Sequence, residues 1–354
     1  DSSARRRAKR DMTTSQAEHA PPADPTRPLL PDPGLGAIFG TSRSGSTWLG
    51  ALIGAHPDVT YRFEPFRRGR RDPRISGLGA ALRDRPLDAS TLATIDAFLR
   101  EAHPWRDKAP FLPKRHERTF GRTAASLIAR RLPPLAAAYR RFYSVGPGPR
   151  VVFKEVDLPW LLRALVLETE APVVYLVRSP FGYVASQLRG QAEGHMRDGR
   201  VRVLESTLPG RAPDLARYLD ALPTMSDAQR NAIVWRMDVE EAIAWVDRGR
   251  RAMAVVYEQL CADPHGVLRA VLAHLGLSPH PQCDAFVDAS TGRGPSAGRD
   301  LARHKYFSIF RNPAESAHKW REQLDAAQIA AVEEIVADSP VVRRFRDQGL
   351  WEAP

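Results

Sequence analysis

Eight consecutive residues, Gly40-Thr41-Ser42-Arg43-Ser44-Gly45-Ser46-Thr47, carry the most specific chemistry in this chain. They stand between a short apolar run and a helical pattern that opens at Trp48. The two glycines have the G-x-x-x-x-G spacing of a phosphate-binding loop. In such a loop, successive backbone N–H groups and a helix N-terminus converge on one concavity and bind an anion. Ser44, Ser46 and Thr47 add hydroxyl donors, and the glycines admit close approach of the backbone. A nucleoside triphosphatase needs a lysine directly after the second glycine to reach the terminal phosphates. Here that position is Ser46, and the cation is Arg43 inside the loop, which argues against ordinary ATP hydrolysis. A Gly/Ser turn that only caps a helix is the plain alternative. The apolar run before, the helix after and the cation within weigh against it.

Other candidates stand at the ends of further strand-like runs. Arg178 follows residues 172–177, and Ser186 lies eight residues on, so both could meet one phosphate at the carboxyl end of a sheet. Taken alone, an arginine there more often serves a surface ion pair. Glu64 follows residues 59–63 and could accept a proton beside the anion loop; it could equally partner a nearby arginine. Lys154 and Glu155 follow residues 151–153. Lysine at a strand end is often simple surface charge, while Glu155 is a rival base or an orienter of Lys154. Tyr257 is a possible nucleotide contact or a packed strand residue. Arg62, Arg67, Arg68, Arg70, Arg71 and Arg74 form a basic cluster that could receive an acidic acceptor, although such runs are usually solvated faces. No aromatic residues interleave with it, so nucleic acid is not expected as a partner. The ten histidines show no paired spacing that suggests zinc, and no metal is expected.

These groups need a sheet to hold them. Strand patterns at residues 35–39, 59–63, 151–153, 172–177 and 252–257 alternate with helical patterns at 48–53, 159–168, 232–246, 264–275 and 326–337. A further helix starts at Ser179-Pro180, with serine as cap and proline in its first turn. Alternation of this kind predicts an α/β fold with a central parallel sheet of about five strands covered by helices. Residues 1–33 read as a flexible leader, and residues 34–354 as one domain. Within it, residues 65–150 read as an acceptor-side insertion and residues 190–228 as a lid.

The chain has 354 residues, 43% of them apolar and 26% charged, which excludes wholesale disorder. Lys+Arg outnumber Asp+Glu by 52 to 41, a net +11 that favours anionic ligands. Cys261 and Cys283 cannot build a disulfide framework, so a reducing, cytoplasmic setting is expected. No apolar run is long enough to span a bilayer. No apolar stretch follows Arg5-Arg6-Arg7-Ala8-Lys9-Arg10, so a secretory signal is not expected; the chain begins at Asp1, and targeting information can be missing from it.

Four segments in order resemble the sulfotransferase superfamily that uses 3′-phosphoadenosine 5′-phosphosulfate (PAPS). Thr41 through Leu49 resembles its 5′-phosphosulfate loop, and Val174 through Ser186 its 3′-phosphate motif with the expected Arg-to-Ser spacing. Val256-Tyr257-Glu258-Gln259-Leu260 is similar to its late strand-plus-helix segment, and His318-Lys319-Trp320-Arg321-Glu322-Gln323-Leu324 to its C-terminal signature. Arginine at position 43, and Phe63-Glu64-Pro65-Phe66, resemble the carbohydrate and tyrosyl-protein branches. The Lys-x-His element of the cytosolic branch is replaced by Lys154-Glu155-Val156.

The resemblance implies a phosphate-loop NTPase-like fold and an enzyme that moves a sulfuryl group from PAPS to an acceptor hydroxyl, releasing 3′-phosphoadenosine 5′-phosphate (PAP). It implies Glu64 as base, Arg43 with Lys154 stabilising the leaving phosphate, and Arg178 with Ser186 on the 3′-phosphate. It further implies an adenine contact at Trp48, otherwise a core residue, and closure by Arg311, with Arg293 and Lys305 weaker candidates. A carbohydrate, lipid or natural-product hydroxyl is the favoured acceptor and a tyrosyl or phenolic one the alternative. Outside this class stand an atypical phosphate-loop kinase and a polyanion-binding module.

Overall fold

The structure, a computed structural model, describes residues 27–107, 121–196, 200–292 and 313–354. Arg293, Lys305 and Arg311 lie outside the described residues. Five strands form one sheet: β1 (Leu35–Gly40), β2 (Val59–Phe63), β3 (Arg150–Lys154), β4 (Val173–Val177) and β5 (Ala252–Val256). Their order is β2-β3-β1-β4-β5 and every pairing is parallel. All six residues of β1 and all five of β4 are buried, as strands covered on both faces must be. β1 lies between β3 and β4, so the strand order reverses direction beside it. Ligands of open α/β sheets bind outside the carboxyl ends of the strands at such a reversal.

The first connection uses α1 (Ser46–Gly54). Between β2 and β3 the chain forms α2 (Pro65–Arg68), α3 (Leu78–Asp84), α4 (Ala89–Arg100), α5 (Arg122–Arg131) and α6 (Pro133–Tyr143). Then follow α7 (Pro159–Glu168), α8 (Pro180–Ala192), α9 (Val201–Arg211), a 3₁₀ segment (Pro213–Ala221) and α10 (Asp227–Val246). The remainder is α11 (Tyr257–Ala262), α12 (Pro264–His274), α13 (Pro281–Ser290), α14 (Pro313–His318), α15 (Trp320–Gln323), α16 (Ala326–Val336) and α17 (Pro340–Asp347). Prolines stand at the N-termini of α7, α8, α12, α13 and α17, where a missing N–H costs nothing.

The chain divides into two compact units. One gathers the described residues up to Arg178 with Ala242–His318; the other gathers Ser179–Glu241 and Lys319–Pro354. The first contains the sheet. Its core joins Ile38, Val174, Leu176 and Val255 to Leu49, Leu52 and Ile53 of α1 and to Val271, Phe286 and Val287 beneath them. In the second, Trp320 stacks on Phe181 with ring centroids 4.8 Å apart. Arg236, 2% exposed, donates to the Ile335 carbonyl at 2.8 Å and pairs with Glu240 and Asp338.

Two expectations change. Of the expected leader, residues 1–26 lie outside the described residues, and its last residues are not flexible: Leu30 bridges to Thr169, and Asp32 accepts from the Gly34 amide and pairs with Arg150. Backbone pairing to an edge of buried structure is what orders this stretch. Arg62 is no part of an open basic face. It is 2% exposed, donates to the carbonyls of Leu99 and Arg100, and pairs with Asp107 at 3.3 Å. A buried guanidinium has to be neutralised and saturated with acceptors in this way. Arg74 likewise pairs with Asp72 and Glu101, and Arg68 donates to the Arg106 carbonyl.

Candidate active site

The loop at residues 40–47 leaves the carboxyl end of β1 and enters α1. Gly45 has φ 95° and caps α1, so a side chain there would meet both backbone strain and the Tyr257 ring. A Cβ on Gly45 would come within 2.4 Å of that ring, and a Cβ on Gly40 within 2.6 Å of the Leu176 carbonyl and of Ser44 Oγ. The two spaced glycines are therefore demanded by close packing as well as by the turn. The Trp48 amide donates to the Gly45 carbonyl at 2.9 Å, while the amides of Ser46 and Thr47, ahead of it in α1, have no intrahelical carbonyl to bind and suit an anion. Ser46 is 3% exposed. Ser44 is fully buried, and its hydroxyl has no partner among the described residues.

Among the described residues three non-glycine residues have positive φ: Arg43 (73°), Glu64 (45°) and Asp157 (57°). They follow β1, β2 and β3 respectively. Each such residue costs on the order of 1–3 kcal/mol, and strain of this kind gathers where geometry serves function. Asp157 holds the loop directly: its carboxylate accepts from Ser42 Oγ at 2.8 Å and from the Ser42 amide at 3.4 Å. Sequence reasoning missed Asp157; a short polar residue two positions before the helix-opening Pro159 was its one local signal.

Glu64 and Lys154 meet because β2 and β3 pair Phe63 with Lys154. Lys154 Nζ donates to Glu64 Oε1 at 2.7 Å, and the Glu64 amide donates to the Lys154 carbonyl at 2.8 Å. Arg67 pairs with Glu64 Oε2 at 3.1 Å. Lys154 is 2% exposed, so it is no surface charge. Glu155 faces another way. Its Oε1 accepts the amides of Phe66 at 2.6 Å and Arg67 at 3.3 Å, at the start of α2. Burial pushes the Glu155 carboxyl up to about 8, with the Glu64 charge adding and the Phe66 amide opposing. Its second oxygen has no partner among the described residues. Glu155 thus ties down the turn that follows Glu64 rather than orienting Lys154, whose ammonium is given to Glu64.

On the other side of the loop, Arg178 Nη1 donates to the Arg43 carbonyl at 3.1 Å and Nη2 to the Ser316 carbonyl at 3.1 Å. The guanidinium lies 4.6 Å from the centre of the Tyr257 ring. Tyr257 therefore packs between the Gly45 turn and Arg178, and its burial pushes the phenol well above the ordinary range. Trp48 is in the core, 8% exposed, with Nε1 donating to Ser290 Oγ at 3.1 Å. Ser186 is buried on α8, in the other compact unit.

The strand ends thus bring the glycine-spaced loop and Arg178 to one side of β3 and, at the ends of β2 and β3 themselves, a carboxylate held by a lysine. The sequence model of the sulfotransferase family matches residues 37–281. The chain belongs to the sulfotransferase family. It is similar to carbohydrate sulfotransferase 6 of Homo sapiens, at 28% identity over 87% of this chain and 80% of that protein. It is also similar to carbohydrate sulfotransferase 7 of Mus musculus, at 27% identity over 86% of this chain and 72% of that protein. A solved mouse sulfotransferase, SULT7A1 complexed with PAP, aligns over 91% of this chain and 90% of its own at 12% identity, with a TM-score of 0.45. The protein is accordingly an enzyme that transfers a sulfuryl group. Ser46 in place of a triphosphatase lysine fits a sulfotransferase, which has no γ-phosphoryl group to move.

Proposed function

We propose that this sulfotransferase moves the sulfuryl group of PAPS to a hydroxyl of a carbohydrate acceptor by in-line displacement, with Glu64 as the general base. The observation that carries the reading is the pairing of Glu64 with Lys154 on the strand ends next to the Arg43 loop. The names of the two curated relatives support the acceptor class.

The residues divide the work by chemistry. Loop amides, Ser46, Thr47 and Arg43 can all donate, which suits the 5′-phosphosulfate, and Arg178 would hold the 3′-phosphate. The acceptor oxygen forms a bond to sulfur while the bond from sulfur to the bridging phosphate oxygen breaks. The acceptor proton passes to Glu64, and the electron pair leaves on PAP. Lys154 and Arg67 each use one lone-pair site of Glu64, which orients the carboxylate and leaves sites for the proton. Arg43 and the amides meet the charge that grows on the leaving oxygen, and losing one such preorganised donor costs about 2.7–4 kcal/mol of barrier. Glu155 suits the base role less, because it is fully buried with one oxygen committed to two amides. Residues 65–150 and 190–228 are assigned to the acceptor side.

Calorimetry with PAP against ADP tests the donor, and mass spectrometry of a saccharide and phenol panel incubated with PAPS tests the acceptor. Tighter binding of PAP and a sulfated sugar are expected. Equal binding of the two nucleotides would remove the donor assignment, and sulfation of phenols alone would remove the carbohydrate.

A further inference from the structure

We infer that the paired helices α5 and α6 dock this protein peripherally on an anionic lipid bilayer surface. Residues 122–143, which span both helices, contain five arginines and no aspartate or glutamate. The two helices are joined through Leu132 and pack against each other. Their inner face is satisfied: Ala129 and Tyr139 close a small core with Ala102, supported by Ala125 and Tyr143. Ser126 and Arg130 tie α5 to the Pro104 carbonyl.

The outer face is apolar where a soluble surface should be polar. Leu127, Ile128, Leu132, Leu135 and Phe142 are between 41% and 56% exposed. Trp105, in the turn that Ser126 and Arg130 hold, is 60% exposed. On α5, positions 124, 127, 128 and 131 are all exposed, so Leu127 and Ile128 share a stripe with Arg131. On α6, positions 135, 138, 141 and 142 repeat the arrangement, with Leu135 and Phe142 beside Arg141. Aliphatic and aromatic side chains flanked by arginines, with no acid among them, match the boundary between acyl chains and anionic headgroups. Arginine stems lie along apolar surface while the guanidinium stays at headgroup level.

Charge selects this occupant. Arg122 is buried against Asp107 and Arg140 pairs with Glu101, which leaves Arg131 and Arg141 as the charges of the outer face, and a second copy of the chain would bring these like charges together. Single-stranded nucleic acid is recognised by aromatic stacking platforms, whereas the aliphatic residues Leu127, Ile128, Leu132 and Leu135 dominate this face. Among the described residues no helix is long and apolar enough to cross a membrane, so attachment through this face is peripheral.

Co-sedimentation of the full chain with vesicles tests the assignment, comparing phosphatidylcholine alone with a phosphatidylcholine–phosphatidylglycerol mixture. Binding to the anionic vesicles and its weakening by salt are expected. The triple substitution Leu127→Ser, Ile128→Ser and Phe142→Ser should weaken partitioning by at least about tenfold. Arg131→Glu with Arg141→Glu should abolish the preference for anionic lipid. Circular dichroism and calorimetric PAP binding should be unchanged in both variants, because every substituted side chain is exposed. The arginine run at residues 5–10 is retained in all of them, so undiminished binding by the triple variant would overturn the proposal. It would also be overturned by equal binding to both vesicle types, or by a dimer in sedimentation velocity that the triple variant converts to monomer.

Discussion

The guanidinium of Arg178 donates to the main-chain carbonyl of Arg43 at 3.1 Å, which joins the end of β4 to the glycine-spaced loop that follows β1. The two arginines stand 135 positions apart in the chain. Side by side, their charges would repel, so the contact is made through the Arg43 carbonyl while the Tyr257 ring supports the Arg178 cation. The Arg178 guanidinium is thereby fixed before any ligand arrives.

Arg178→Ala is expected to weaken PAP binding roughly ten- to hundredfold, the worth of a charge-assisted hydrogen bond of about 1.5–3 kcal/mol. ADP lacks the 3′-phosphate and should lose less. Both nucleotides share the part of the loss that comes from releasing the Arg43 carbonyl. Calorimetry on the two ligands separates the parts, and equal losses would show that Arg178 only props the loop.

Glu64→Gln should lower kcat by roughly 10²–10⁴-fold, the usual worth of a positioned base, while PAP affinity persists. The amide keeps the shape but cannot take the acceptor proton. A near-normal turnover number would move the base role elsewhere, with Glu155 the next candidate.

Gly45→Ala combines two penalties. The left-handed backbone costs about 1–2 kcal/mol for an L-residue, and the new Cβ lies 2.4 Å from the Tyr257 ring. Donor affinity and melting temperature should both fall. Gly121→Ala is the control, since it also has positive φ but nothing within 4 Å of the added carbon. If the two variants melt alike, the packing of Tyr257 on the loop is not what requires glycine.

Burial pushes the Glu155 carboxyl from its ordinary 4.5 up to about 8 in the folded chain. The folded state therefore holds a proton that the unfolded state has lost between these values. The contribution of the neutral acid is intact below 4.5 and is lost as pH rises through about 8. Glu155→Gln keeps an acceptor for the Phe66 amide and cannot ionise. Its melting temperature should gain on the wild type from about pH 5 to about pH 8 and level off above that. A constant difference across that range would mean that Glu155 is ionised in the fold.

Local pattern was enough for much of the fold. β4 and β1 are uninterrupted apolar runs because both faces of a parallel strand are covered. The cap at Ser179, whose Oγ accepts from the Gly182 amide, and the stop at Gly276 with φ 71° follow from backbone chemistry within a few residues. Arg62 was misread for the opposite reason. Its partners Leu99, Arg100 and Asp107 lie 37 to 45 positions away, and nothing near residue 62 announces them.

The order of residues alone determined the glycine-spaced loop between β1 and α1, its internal arginine and the absence of a triphosphatase lysine. Those depend on residue type and short spacing, and a strand–loop–helix turn is built from contiguous chain. Only the tertiary structure decided that Lys154 serves Glu64, that Glu155 is buried against the α2 amides, that Asp157 holds Ser42, and that Trp48 is core. Each of these is set by which strands become neighbours and where their ends fall, and parallel pairing brings together residues that the chain itself keeps far apart.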